Sequence, residues 1–559
     1  MLKCTVHVKK LLTEVDKMKI KKLLALVMSL VVVFLAVAPV AANAQTVCEC
    51  DEIPIIYVRG RAKLIQNKDL PEDTVGGTNT ELPYIESDKL LEYAKEIVPI
   101  YAKGYFEDDF EPFRKRITEI FAEVYDDYAL DKNGEIDNTS GIPAHINWRN
   151  TNIYDHHKSS GQATTPEQAK NQIYQYFFQY DCRLDPRDTA DELYAYIQKV
   201  KEVTGHSKIK ILARCLGTNI LAAYLAEYGW DDIEDVVLYN AIMNGTAITN
   251  SLFNGELFFD ADAVDYFATQ TLSDTTILTF IKQVITMANQ TYGLDMTMDY
   301  FNMTATKVAR LVVPDVMRVS YATTPGYWSM VSPDRYEAAR DYIFAGVEDE
   351  WAGLIEKLDR YHYEVGVKIS RMFKQMERDG VNIYNVSKYG YQLYPIMEDA
   401  GHQSDTIVTL EQQAPKTTVA PIGQTLSKEY IDVRVANRKG RYISPDKTID
   451  ASTGMFPNTT WYVKNLEHNN FPWVVDELLY TILRYDLYNN GEKMTVFSEE
   501  KFPQFLVYEG EENKGDTLKP ITSNNPGYSI QQPSFFDLVK DMFVTFIQLM
   551  KELFAKISA

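Results

Sequence analysis

Cysteine, histidine and surplus positive charge are all scarce in this chain, and each scarcity removes a class of explanation. Five cysteines in 559 residues are too few for a fold of this length to be stapled by disulfides. Cys48 and Cys50 lie too close in sequence to pair readily with each other, and Cys182 and Cys215 complete the set beyond the amino-terminal segment. A disulfide at Cys215 stays open on sequence alone. Lysine and arginine number 57 against 78 aspartates and glutamates, for a formal net charge of −21, which argues against nucleic acid as a partner and for a chain that stays dispersed in solution. The eight histidines are scattered. His156 and His157 are adjacent and so point apart, and no Asp, Glu or Cys spacing completes a zinc set around them. Asp131-Lys132-Asn133-Gly134 lacks the spacing of an EF-hand and reads as a plain turn. No metal and no cofactor is expected.

Long apolar runs are scarce too, with one exception. Lys19, Lys21 and Lys22 precede an almost wholly apolar stretch from Leu23 to Val40, and Ala42-Asn43-Ala44 supplies a small-x-small cleavage site. Residues 1–44 read as a secretory signal, with Met18 as a reasonable start and cleavage after Ala44. Left uncleaved, the run would be a membrane anchor. Cleavage leaves enough chain for more than one domain, placed outside the cytoplasm.

The rest of the chain alternates. Ile53 to Val58 is a β-rich apolar run halted by Arg59-Gly60-Arg61, and helical stretches follow around 88–127. Gln172 to Asp181 reads as a strand, Asp188 to Thr204 as a helix ended by Gly205, Ile209 to Arg214 as a strand, and 233–241 as a further strand. Strand-helix alternation of this kind builds a parallel sheet covered by helices, an α/β class. Helical candidates dominate 242–381, including 334–345 and a long one over 350–379. A strand pattern resumes at Val381. Residues 491–533 read as an extension and linker, polar and rich in Gly, Pro and Asn toward their end. Ser534 then caps an amphipathic helix over 535–557 with mixed charge on its polar face. That helix suits packing on the domain, contact with a membrane surface, or self-association.

The most informative segment is Ile209-Lys210-Ile211-Leu212-Ala213-Arg214-Cys215-Leu216-Gly217-Thr218-Asn219. It reads as strand, tight turn and helix, with the cysteine at the apex between Ala213 and Gly217. Small residues two before and two after such an apex let strand and helix approach closely. Together with "PIIYVRG", "QYDCRLDPRDTADELYAY", "TTPGYWSM", "HQSDTIVT" and "TTWYVKNLEHNNFP", this segment resembles the secreted lipase-like α/β-hydrolases, of the lecithin:cholesterol acyltransferase-like and bacterial lipase-like branches. The likeness runs from about residue 53 to 485, with cysteine where the family has its nucleophilic serine. It implies a doubly wound, mostly parallel sheet from residues 45–241 and 382–490, with a helical cap from 242–381. It also implies acyl-ester chemistry by a nucleophile, an acid and a histidine arriving in that chain order.

Cys215 is then the nucleophile. Asp405, in Gln403-Ser404-Asp405-Thr406-Ile407-Val408, stands where the resemblance places the acid, with Thr406 replacing the usual glycine; Asp446 and Asp450 are rivals, since they too lie between the resumed strand and the histidine. His468 is the base partly by elimination: the other histidines precede Cys215, sit in the cap (His362) or adjoin the acid turn (His402). The backbone N–H groups of Leu216 and Arg61 are the expected oxyanion donors. Arg59 and Arg214 occupy positions flanking the nucleophile, where two cations would lower the thiol pKa or receive an anionic substrate group. The expected ligand is a small acyl ester or lipid, hydrolysed or transferred; a silent pocket that binds a lipid or protein partner is the competing reading.

Overall fold

The computed structural model describes residues 52–60, 64–65, 79–80, 87–126, 128–136, 176–178, 180–265, 276–291, 293–393, 397, 401–511, 515–522, 534, 536–542, 544–545 and 548. The signal segment, Arg61, Cys48 and Cys50, and His145, His156 and His157 lie outside the described residues.

Eight strands build the main sheet: β1 (Ile55–Val58), β2 (Tyr176–Phe178), β3 (Ile209–Arg214), β4 (Ile233–Tyr239), β5 (Asn382–Tyr389), β6 (Thr460–Lys464), β7 (Phe505–Glu511) and β8 (Gly515–Pro520). Their spatial order is β8-β7-β6-β5-β4-β3-β1-β2. Every neighbouring pair is parallel except β7 with β8. The chain is therefore an α/β protein with a mostly parallel sheet.

Residue type explains the burial. Parallel strands need cover on both faces, so their residues are apolar nearly throughout rather than alternating. Ile56, Val58, Ile211 and Ala213 face one layer, built from α3 (Pro186–Thr204), α4 (Gly217–Tyr228) and α9 (Ile369–Arg378). Ile55, Tyr57, Leu212 and Val237 face the other, covered by Val475, Leu478 and Ile482 of α10 (Trp473–Tyr488). Each fully buried Leu, Ile or Val here contributes roughly 1.5–3 kcal/mol. Asp185 caps α3 by accepting the Arg187 N–H at 2.9 Å, Pro186 occupies its first turn, and Gly205 at φ 73° ends it.

Helices α1 (Ser87–Glu107) and α2 (Glu111–Tyr125) join the insertion after β4 rather than the sheet. Phe110 packs with Val308 and Val312 of α6 (Gly293–Arg318), and Arg114 pairs with Asp315. Tyr125 and Tyr128 share a core with Trp328 and with Tyr336 of α7 (Tyr336–Ile343). The helical layer is thus assembled from two separate stretches of chain, and α5 (Thr276–Gln290) belongs to the later one.

Three expectations need correction. The helix expected over 350–379 is broken into α8 (Ala352–Glu364) and α9. The break falls at Val365-Gly366-Val367, where two β-branched residues flank a glycine and helix propensity is low. The bend brings Phe373 and Met376 onto the sheet, so the insertion's last helix is sheet cover rather than cap. The strand expected over 172–181 is present at Tyr176–Phe178 and stops short of Tyr180, while 172–175 and 179 lie outside the described residues. Finally, the stretch 491–533 carries β7 and β8 within it. Within that polar text, Gly515–Pro520 forms β8, an edge strand with one neighbour, where charge protects against stray pairing, while 523–533 lies outside the described residues.

Ser534 caps the terminal helix, its hydroxyl accepting the Asp537 N–H at 3.2 Å. Leu538 is buried while Phe536, Val539 and Val544 are exposed. Among the described residues, no helix is long and apolar enough to cross a membrane.

Candidate functional site

The carboxyl-terminal ends of β1, β3, β4, β5 and β6 lead into one cluster of side chains, the place where parallel sheets gather their ligands. Cys215 follows β3 directly and holds φ 51°, a left-handed conformation that a non-glycine residue adopts only under constraint. The constraint is the close crossing of β1 beneath the turn. A Cβ on Gly217 would run into the Val58 and Arg59 carbonyl oxygens, and one on Gly60 would come within 2.9 Å of Cys215 Cβ. Both positions therefore require glycine. Strained residues of this kind, held by their surroundings, concentrate where chemistry needs a projected side chain. Thr218, where a second glycine is common in such turns, is buried without a hydrogen-bond partner for its hydroxyl.

Cys215 is a free thiol. Its Sγ lies 3.2 Å from His468 Nε2, and His468 Nδ1 lies 2.7 Å from Asp405 Oδ2. The structure thus brings together the three side chains singled out in the sequence, from loops after β3, β5 and β6. Asp405 is fully buried, and its other oxygen accepts the Ile407 and Val408 N–H groups at 3.1 and 2.8 Å. Its carbonyl accepts the His468 N–H at 2.7 Å, which ties the two loops together. Thr406 keeps the glycine-like conformation at φ 84° despite its branched side chain, so the turn geometry survives the substitution with strain.

The rivals for the acid are occupied elsewhere. Asp446 pairs with Lys464 at 2.8 Å. Asp450 pairs with Arg434 at 2.6 Å and accepts the Tyr430 hydroxyl at 2.8 Å. His362 stacks on Tyr336 with centroids 4.1 Å apart, and His402 faces Glu411.

Electrostatics favour a charged pair at the elbow. Burial alone raises the Cys215 pKa, but the His468 charge and hydrogen bond, the Arg214 guanidinium and the Leu216 N–H outweigh it and lower the value. Burial likewise lowers His468, yet the Asp405 carboxylate and the Cys215 sulfur push it up to about 9. Both shifts favour a thiolate beside an imidazolium, and the thiolate is the nucleophilic form of cysteine. Of the two expected oxyanion donors, Leu216 N–H faces the sulfur at the start of α4, while Arg61 lies outside the described residues.

Two residues that sequence reading missed hold the histidine. Lys388 is the only charged residue in β5 and is completely buried. Its Nζ donates to the carbonyls of Glu467, His468 and Asn470 at 3.1, 3.1 and 2.8 Å, so one cation gathers the whole histidine loop. It also sits 4.2 Å from the Phe471 ring centroid. Burial drives its pKa well below the ordinary lysine value, with the Asp405 charge opposing. A lone lysine in an otherwise uncharged strand was the available signal. Asn240, following β4 at φ 34°, places its Nδ2 3.3 and 3.4 Å from the two His468 ring nitrogens. Arg214 lies over the Phe471 ring, 3.1 Å from its centroid, and donates to Tyr57 Oη at 3.3 Å.

The described residues hold no group of three or more His, Cys, Asp or Glu arranged to bind a metal. No protein-family model matches the chain, and a search of the curated proteins finds no match.

Proposed function

We propose that this chain is a secreted α/β-hydrolase of lipase-like type that cleaves carboxylic esters through Cys215, His468 and Asp405. The observation that carries the reading is the hydrogen-bonded line from Sγ through the imidazole to the buried carboxylate, mounted on a strained turn between strand and helix. Sequence resemblance and the strand order around the elbow support the same assignment.

In the first step the Cys215 thiolate attacks the ester carbonyl carbon, forming a C–S bond and placing negative charge on the carbonyl oxygen. The Leu216 N–H is positioned to stabilise that charge. The ester C–O bond then breaks, and the departing alkoxide takes the proton from His468 Nε2, leaving a thioester and a neutral imidazole. Water gives a proton to that imidazole as it attacks the thioester. Collapse breaks the C–S bond, releases the carboxylic acid and restores thiolate and imidazolium. Asp405 holds the ring through Nδ1 throughout and stabilises its charged form. An acceptor alcohol in place of water would make the same site an acyltransferase.

The test is hydrolysis of short- and long-chain p-nitrophenyl esters by the mature protein, with Cys215→Ala beside it. Release of p-nitrophenol that disappears in the alanine variant supports the proposal. Absent turnover overturns it and leaves a pocket that binds without reacting, and equal turnover in both proteins overturns it by removing Cys215 from the reaction.

A further inference from the structure

The amino-acid pattern offered two uses for the arginines beside the elbow, and their surroundings differ in a way that separates those uses. Val58 and Ala213 are register partners on the adjacent parallel strands β1 and β3, so Arg59 and Arg214 follow each other's strand ends side by side. Arg214 acts on the thiol and is anchored on Phe471 and Tyr57. Its Nε is nevertheless buried without a hydrogen-bond partner.

Arg59 is less satisfied still. Its backbone is fixed, since Tyr180 Oη donates to its carbonyl at 2.9 Å and the same carbonyl crowds Gly217. Its guanidinium makes no hydrogen bond or ion pair among the described residues. The titratable groups it senses are Tyr57, Arg214 and Tyr180, with no carboxylate among them. Burial, and with it the Arg214 charge, lowers its pKa. A half-buried guanidinium with no anion among the described residues, next to a second cation whose Nε lacks a partner there, is costly unless an anion meets it. Guanidinium is also the side chain best shaped to take a carboxylate or phosphate through paired hydrogen bonds.

We infer that Arg59, beside the charge of Arg214, receives an anionic group of the substrate, so that the preferred ester carries a carboxylate or phosphate near the scissile carbonyl. This substrate class rests on the proposed attack by Cys215, but the recognition itself is measurable without turnover. The probes are iodoacetate and iodoacetamide, which alkylate a thiolate alike and differ in charge. The rate at Cys215 is followed by mass spectrometry of its peptide at low salt.

The expected result is faster labelling by iodoacetate than by iodoacetamide, the reverse of an ordinary thiol. Arg59→Gln lowers the iodoacetate-to-iodoacetamide ratio roughly tenfold and Arg59→Lys lowers it less, since loss of a close charge partner acts on the charged reagent. Inorganic phosphate and glutarate should each slow the wild-type reaction with iodoacetamide; whichever protects at lower concentration identifies the anion. A wild-type ratio below one, or a ratio unchanged in Arg59→Gln, overturns the inference.

Two ester arms then place the anion. Mono-p-nitrophenyl glutarate against p-nitrophenyl butyrate reads the acyl side, and 4-acetoxybenzoate against its methyl ester reads the alcohol side. Anion-selective labelling with no ester turnover would defeat the hydrolase proposal and leave the anion site standing. Cys215-dependent turnover without charge preference in either reading would do the opposite.

Discussion

Cys215, Thr406 and His468 show what single residues contribute here. The elbow cysteine and Thr406 both sit at positive φ, but only the cysteine has a chemical reason to be there. A β-branched residue at φ 84° is strained, and Thr406→Gly should raise unfolding stability by about 1 kcal/mol in a urea titration. Loss of stability in that variant would mean the threonine side chain contributes something the geometry does not show. The pH dependence follows from the two shifts. The acid limb of the proposed esterase activity should come from Cys215, whose pKa the His468 charge and the Arg214 guanidinium lower from its ordinary value against the opposing effect of burial. The alkaline limb comes from His468 at about 9, above which the leaving alkoxide has no proton to take. Asp405→Asn removes the strongest influence holding that proton, so the alkaline limb should move to lower pH in a profile of kcat/KM. A limb that stays in place would separate Asp405 from the imidazole's titration. Cys215 was legible in the sequence from the local pattern of its turn, whereas His468 came partly by elimination and Asp405 from the resemblance, with Asp446 and Asp450 left open until the structure showed their other partners. Lys388 and Asn240 were not legible, because what they do depends on loops 80 and 228 residues away in sequence.

Elements position these residues, and their limits are physical ones. The strand, elbow and helix from β3 to α4 were readable because an apolar parallel strand and small residues at the turn leave a strong local signature. The break between α8 and α9, and the strands β7 and β8, were not readable from composition, since a charged edge strand looks like a linker until its neighbour is known. The histidine loop between β6 and α10 depends on β5 through Lys388. Lys388→Met should leave three carbonyls without their donor, that of buried His468 among them, costing roughly 1–3 kcal/mol. It should also reduce kcat about a hundredfold by displacing the imidazole. Denaturant titration and single-turnover kinetics check the two halves; a stable, fully active variant would remove Lys388 from the positioning of His468. At the sheet margin, truncation before Phe505 exposes β6, with Trp461, Tyr462 and Val463, as an open apolar edge. That protein should aggregate during purification, and soluble monomer would show that β7 and β8 are dispensable.

At the scale of the whole molecule, the helical layer is drawn from two stretches of chain. The α/β class was legible from alternation alone, while the recruitment of α1 and α2 to the insertion was not, because Phe110, Arg114 and Tyr125 meet partners nearly two hundred residues away. The chain's net charge is −21, yet Arg59 and Arg214 stand side by side at the site, and the inferred attraction of an anion would act at short range, where screening leaves the distant acidic surface little weight. Passage of an acyl group through the Cys215 sulfur is measured most directly by the mass of the Cys215 peptide after rapid acid quench of the protein mixed with excess p-nitrophenyl ester. That peptide should carry the acyl mass as a thioester, discharged by neutral hydroxylamine and absent from Cys215→Ala. Ester turnover with Cys215 unmodified, persisting in Cys215→Ala, would contradict it.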